Sequence, residues 1–152
     1  MSNFGFIGTG NMGSALARAV AQAVGGNNLM LADSSAVKAQ LLSKELGAVC
    51  SDTKSVAAKA KYIFLGVKPQ VMEKVLSSIS DVLRARKDRF ILVTMAAGVS
   101  LGSIREMLKF DCPIIRIMPN TPVSKGKGMI LYCLNENVFM DEIGEFCDAL
   151  RL

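Results

Sequence analysis

Three glycines at positions 8, 10 and 13 give "GFIGTGNMGSALARAV", residues 5–20, a G-x-G-x-x-G spacing directly after a short apolar run. Each has a separate physical use. Gly8 permits a tight turn, Gly10 lets the backbone approach a pyrophosphate with no Cβ between, and Gly13 allows a helix to pack closely on the strand before it. An anion seated there meets free N–H groups at the positive end of the helix that follows. The chemistry this spacing points to is the binding of a dinucleotide. Asp33 stands twenty residues beyond Gly13, at the end of a second apolar run, where a carboxylate accepts hydrogen bonds from the adenine ribose of NAD. Beside it, Ser34, Ser35 and Lys38 could instead cradle the additional phosphate of NADP. Asp33 or Ser34 could also cap the next helix, and capping and binding are compatible.

Three further segments fall where ligands bind in a doubly wound sheet, beyond the carboxyl ends of strands. "GVKPQ", residues 66–70, puts Lys68 at the mouth of one strand and Pro69 in the first turn of a helix. "MAAGVS", residues 95–100, has side chains small enough for a flat ring to lie against backbone. "MPNTPVSKGKG", residues 118–128, fixes the backbone around Asn120 and Thr121 with two prolines and loosens it beyond with glycines. Taken singly, these are a solvated lysine, a roomy turn and a loop of turn formers.

Composition narrows the chemistry. The chain has no histidine, which removes Ser-His-Asp hydrolysis, a histidine general acid and histidine-ligated metals. Cys50, Cys112, Cys133 and Cys147 are widely spaced, so neither a zinc site nor a disulfide framework is indicated, and a reducing cytoplasm is the expected setting. The formal charge of +5 is scattered, and two tyrosines without tryptophan offer little to stack on bases, so anionic small molecules are expected and nucleic acid is not. The residues are 51% hydrophobic, yet no run reaches the roughly 18 that a membrane span requires. No targeting signal is visible at Met1-Ser2-Asn3, and no membrane partner is expected.

Short apolar runs alternate with helix-period segments, which predicts an α/β fold: a doubly wound, mostly parallel sheet of Rossmann type with helices on both faces. Strands are expected at Phe4–Ile7, Leu29–Ala32, around Val49, at Tyr62–Val67, Phe90–Met95, Ile114–Met118 and Met129–Leu134. Helices are expected at Met12–Val24, with Leu16, Ala19, Val20 and Ala23 on one face, and at Ala36–Leu46, closed by Gly47. A third long helix runs from Pro69 to about Arg84, where Met72, Leu76, Ile79 and Leu83 form one buried stripe. Ser100 is expected to cap a short helix carrying Ile104, Met107 and Leu108, and Met72, Met107 and Met118 are expected in the core. A last helix over Met140–Leu152 places Ile143, Phe146, Cys147 and Leu150 on its apolar face. It ends on "FCDALRL" without a cap, so residues 1–152 are expected to be one dinucleotide-binding domain of a longer protein.

In order and at similar spacing, "GFIGTGNMG", "VKPQ", "AAGVS" and "MPNTP" resemble the pyrroline-5-carboxylate reductases from Phe4 to about Leu134. The first segment is shared with 3-hydroxyisobutyrate and 6-phosphogluconate dehydrogenases. Those would show a serine-glycine-glycine loop after the fifth strand, where this chain has "MAAGVSL". The resemblance implies hydride transfer from NADP(H), with NAD(H) possible, to the C=N bond of 1-pyrroline-5-carboxylate, the last step of proline synthesis. A protonated imine already carries the charge that invites hydride, so the chemistry needs no strong protein acid. By the same resemblance, cofactor contacts fall to Gly8, Gly10, Asn11, Met12 and Gly13, to Ser34, Ser35 and Thr53, and to Val67, Lys68, Pro69, Ala96, Ala97 and Gly98; Thr9, within the glycine loop, and Asp33, by its position after the second strand, are expected beside them. It implies no catalytic side chain and no metal in this chain. It further implies a homo-oligomer, assembled through a C-terminal helical domain that also holds the small imino-acid substrate and whose threonine- and glycine-rich signature these residues lack. Two alternatives stay open: a non-catalytic NAD(P)-binding sensor module, and a reductase of another small C=N or C=O substrate.

Overall fold

Four runs almost free of polar side chains, Phe4–Ile7 (β1), Leu29–Ala32 (β2), Tyr62–Leu65 (β4) and Ile91–Thr94 (β5), are buried at every position. That is what strands covered by helices on both faces require. With Val49–Cys50 (β3), Ile114–Pro119 (β6) and Ile130–Leu134 (β7), they form one sheet in the order β3-β2-β1-β4-β5-β6-β7. Neighbours are parallel throughout, except that β7 runs antiparallel to β6. The structure is a computed structural model and describes residues 3–119 and 130–150. Asn120, Thr121 and the rest of residues 120–129 lie outside the described residues.

The helices are Asn11–Val24 (α1), Ala36–Leu46 (α2), Thr53–Lys59 (α3), Pro69–Ala85 (α4), Leu101–Leu108 (α5) and Met140–Leu150 (α6), with a 3-10 turn at Gly26–Asn28. Because strand side chains alternate between faces, the core has two layers. Phe4, Phe6, Tyr62 and Phe64 meet Leu16 and Val20 of α1 and Phe146 of α6, with the Phe6 and Phe64 rings stacked 4.4 Å apart. On the other face, Ile7, Ile63, Leu65 and Leu92 meet α3, α4 and α5, including the stripe Met72, Leu76, Ile79 and Leu83, buried as its spacing predicts.

Some expectations are corrected. The face of α1 that meets the sheet carries Gly13, Leu16, Ala17 and Val20, while Ala19 and Ala23 are only half-buried. Gly13 on that line packs against the backbone of Gly8 and Gly66, in the loops that follow β1 and β4. Met118 is 54% exposed: it shares a face of β6 with half-buried Arg116, while Ile115 and Ile117 on the other face are buried. Met107 lies half-buried at the rim of the second layer, and Ile143 and Cys147 sit similarly on α6, where Phe146 and Leu150 are buried. The ladders of β4 and β5 end at Leu65 and Thr94, short of Val67 and Met95.

Polar bonds fasten α6 to the amino edge of the sheet. Arg89 donates two hydrogen bonds to the Glu142 carboxylate, at 2.7 and 2.8 Å, and a third to the Asn137 carbonyl. Glu142 also accepts from the Phe139 N–H at 2.8 Å, and its own carbonyl accepts from the Tyr62 hydroxyl at 3.0 Å. Buried Asn135 ties the ends of β6 and β7, accepting from the Ile114 N–H and donating to the Cys112 carbonyl. The opposite, carboxyl edge is left to the loops.

Candidate functional site

The parallel strands deliver their carboxyl ends to one edge, and the connections reverse direction between β1 and β4: β1 leads outward to β2, β4 leads the other way to β5. Such a switch point opens a crevice between the two departing loops. Gly8 follows β1 with φ 99°, a left-handed conformation that disfavours any side chain. Its N–H donates to the Ala32 carbonyl at 2.8 Å, and the Gly66 N–H donates to the Ile7 carbonyl at 2.7 Å, so the loops after β1, β2 and β4 are bonded together.

At the start of α1, Gly10 is the N-cap residue and has no side chain to cap the helix, and among the described residues no side chain bonds the helix's first N–H groups. The first bond within the helix runs from the Ser14 N–H to the Gly10 carbonyl at 2.8 Å, leaving the donors of Asn11, Met12 and Gly13 for a ligand. A Cβ built on Gly10 meets nothing within 4 Å. Open space over unsatisfied N–H groups at a helix N-terminus fits the pyrophosphate of a dinucleotide.

Asp33 is turned toward this loop. Its Oδ2 accepts from the Thr9 N–H at 2.6 Å and the Thr9 hydroxyl at 2.8 Å, and its Oδ1 accepts from the Ser35 N–H at 2.8 Å. Burial by itself would raise the carboxyl's pKa, but the bonds from Ser35 and Thr9, with the Lys38 charge nearby, hold it below the ordinary carboxylate range. Ser34 is exposed, with its hydroxyl 3.5 Å from Oδ1, and Ser35 caps α2 by accepting from the Lys38 N–H at 3.4 Å.

The remaining residues singled out in the sequence reach the same edge by strand register. Val67 is half-buried, and exposed Lys68 occupies the N-cap position of α4 ahead of Pro69. After β5, Ala96 is buried, while Ala97 and Gly98 are exposed, and Gly98 turns the chain with φ 75° and no atom near its missing Cβ. Thr94, just before them, is fully buried with its hydroxyl unpartnered. Thr53 opens α3 beyond β3, with the turn held by Asp52, whose carboxylate accepts from the Ser55 N–H at 2.8 Å. Sequence reasoning missed the bonding of Thr9 to Asp33. The signal was present: a hydroxyl residue between two loop glycines and an acid ending the neighbouring strand. Among the described residues no group of three or more potential metal ligands occurs, and no helix is long and apolar enough to cross a membrane.

The sheet order and the glycine loop at its switch point define a Rossmann-type NAD(P)-binding domain. The family model described as NADP oxidoreductase, coenzyme F420-dependent, matches residues 3–98, and the chain belongs to that family. It is also similar to a pyrroline-5-carboxylate reductase of Corynebacterium melassecola, 31% identical over 99% of this chain and 56% of the relative. Among solved structures, a pyrroline-5-carboxylate reductase from Coxiella burnetii superimposes with a TM-score of 0.89 at 28% identity, covering 99% of this chain and 56% of that one. The Plasmodium falciparum pyrroline carboxylate reductase, solved with NADP bound, gives 0.82 at 30% identity over 98% and 54%. The chain thus spans about half the length of the relatives it matches.

Proposed function

We propose that this chain is the cofactor-binding half of a cytoplasmic pyrroline-5-carboxylate reductase, which reduces the C=N bond of 1-pyrroline-5-carboxylate to give L-proline with NADPH preferred over NADH. The observation that carries the proposal is the uncapped start of α1 at Gly10, opening into the crevice between the Gly8 and Gly66 loops. When bound, the dinucleotide supplies the hydride. This chain's part is to bind and orient: the Asn11, Met12 and Gly13 N–H groups toward the pyrophosphate, and Ser34, Ser35, Lys38 and Thr53 toward the adenosine end. Val67, Lys68, Pro69 and the Ala96–Gly98 turn would border the nicotinamide side, where the small side chains let a ring lie against backbone. The imino-acid site and homo-oligomer contacts are assigned to the part of the relatives that these residues do not cover.

The test is an assay of the protein encoded by the whole gene, following NADPH oxidation on addition of 1-pyrroline-5-carboxylate. Substrate-dependent oxidation is the expected result. Absence of turnover with this substrate, despite saturable dinucleotide binding, would reject the assigned reaction.

A further inference from the structure

We propose that Asp33 is the clasp of the glycine loop and not an acceptor for the adenosine ribose, so that its carboxylate positions Thr9 and leaves the 2′ position of a bound dinucleotide to Ser34 and Lys38. This rests on the reading of the edge as a dinucleotide site. An ionised carboxylate offers about four acceptor positions. Four donors surround this one: the Thr9 N–H and hydroxyl converge on Oδ2, while the Ser35 N–H and, at a longer 3.5 Å, the Ser34 hydroxyl address Oδ1. Thr9 is 7% exposed, so a carboxylate that swung out to a ribose would leave a buried N–H and a buried hydroxyl without partners.

The positions of these residues explain why a clasp is useful there. Thr9 lies between Gly8, which takes a left-handed turn, and Gly10, which occupies the N-cap position of α1 without capping it; fixing the Thr9 N–H to the end of β2 fixes the direction in which α1 presents its free donors. Ser34 is held most weakly and is exposed, so its hydroxyl is the one free to turn to a phosphate oxygen, with the exposed Lys38 one helical turn away.

Titration of NADPH and NADH into the chain and its Asp33→Asn, Thr9→Val and Thr9→Ser variants separates the possibilities. For a clasp, Asp33→Asn lowers the affinity for both dinucleotides on the order of tenfold, the effect of one charge-assisted bond, and leaves their ratio unchanged. Thr9→Val lowers both in parallel, and Thr9→Ser, which keeps the hydroxyl, recovers what valine loses. A ribose acceptor gives the opposite pattern: Asp33→Asn weakens NADH selectively, NADPH is unchanged or tighter, and Thr9→Val has no effect. That outcome overturns the proposal. If Asp33→Asn does not fold, the valine and serine pair at Thr9 decides by the same criteria. If the unsubstituted chain binds neither dinucleotide, the site reading itself falls, and the clasp with it.

Discussion

The Gly8 carbonyl oxygen is packed so closely against Gly13 and Gly66 that a Cβ on either would stand 2.3 or 2.7 Å from it. The obstacle is backbone, which cannot rotate away as a side chain would. Gly13→Ala and Gly66→Ala are therefore expected to lower stability by about 1–3 kcal/mol, the range for forcing a methyl into packed space. Denaturant titration measures this, and a midpoint equal to that of the parent chain would contradict the close approach.

Ser34→Ala is expected to weaken NADPH binding and leave NADH nearly unchanged, with no loss of stability, because its hydroxyl is exposed and only weakly held. Ser35→Ala should show a mixed effect, since that hydroxyl also caps α2; loss of an N-cap costs about 1 kcal/mol. Calorimetric titrations with both dinucleotides, beside thermal melts, separate the two roles. Equal losses for NADH and NADPH on Ser34→Ala would remove that serine from the phosphate end.

The Arg89 side chain lies against a Glu142 that is 3% exposed, and with the bonds from Phe139 and the nearby charge of Lys61 it holds the Glu142 carboxyl below the ordinary glutamate range. Tyr62 bonds the same residue's carbonyl, and Asp141 is the like charge beside it. A lowered folded pKa means that the stabilisation is complete above the ordinary range of about pH 4–5 and is lost as pH falls through the lowered value. Glu142→Gln should flatten this acid limb and destabilise the chain at neutral pH by roughly 2–3 kcal/mol, below the value for a fully buried pair because Arg89 is partly exposed. Melting temperature against pH for both proteins is the check, and parallel curves would count against the pair.

Leu76 is fully buried at the centre of the α4 stripe. Leu76→Ala is expected to cost about 2–5 kcal/mol by leaving a cavity under the sheet, read by the same denaturation method. A loss under 1 kcal/mol would mean that α4 is not seated there.

The sheet was legible wherever local pattern and burial agree. Tyr62–Leu65 is apolar at every position because it is central, and the 4, 3, 4 spacing from Met72 to Leu83 leaves α4 one choice of face. Strand ends were less legible, since Val67 and Met95 continue the apolar run after the ladder has stopped, and burial in a turn looks the same as burial in a strand. Glu142 reads as a surface acid; it is buried because Arg89, 53 residues away, reaches it, a pairing with no local trace. At the candidate site the glycines were legible from spacing, since each answers a steric demand. What Asp33 bonds to was not, because a carboxylate at that position suits a ribose and a loop equally until the direction of its oxygens is known.

The central claim, that the uncapped start of α1 receives the phosphates of a dinucleotide, is tested most directly by calorimetric titration of NADPH into the chain and into Gly10→Ala. The added Cβ meets no protein atom within 4 Å, so the variant should fold and melt as the parent does, and the methyl would fill only the space assigned to the ligand. The expected result is saturable one-site binding by the parent chain and its loss in the variant. Equal binding by both, or no saturable binding by the parent, would contradict it.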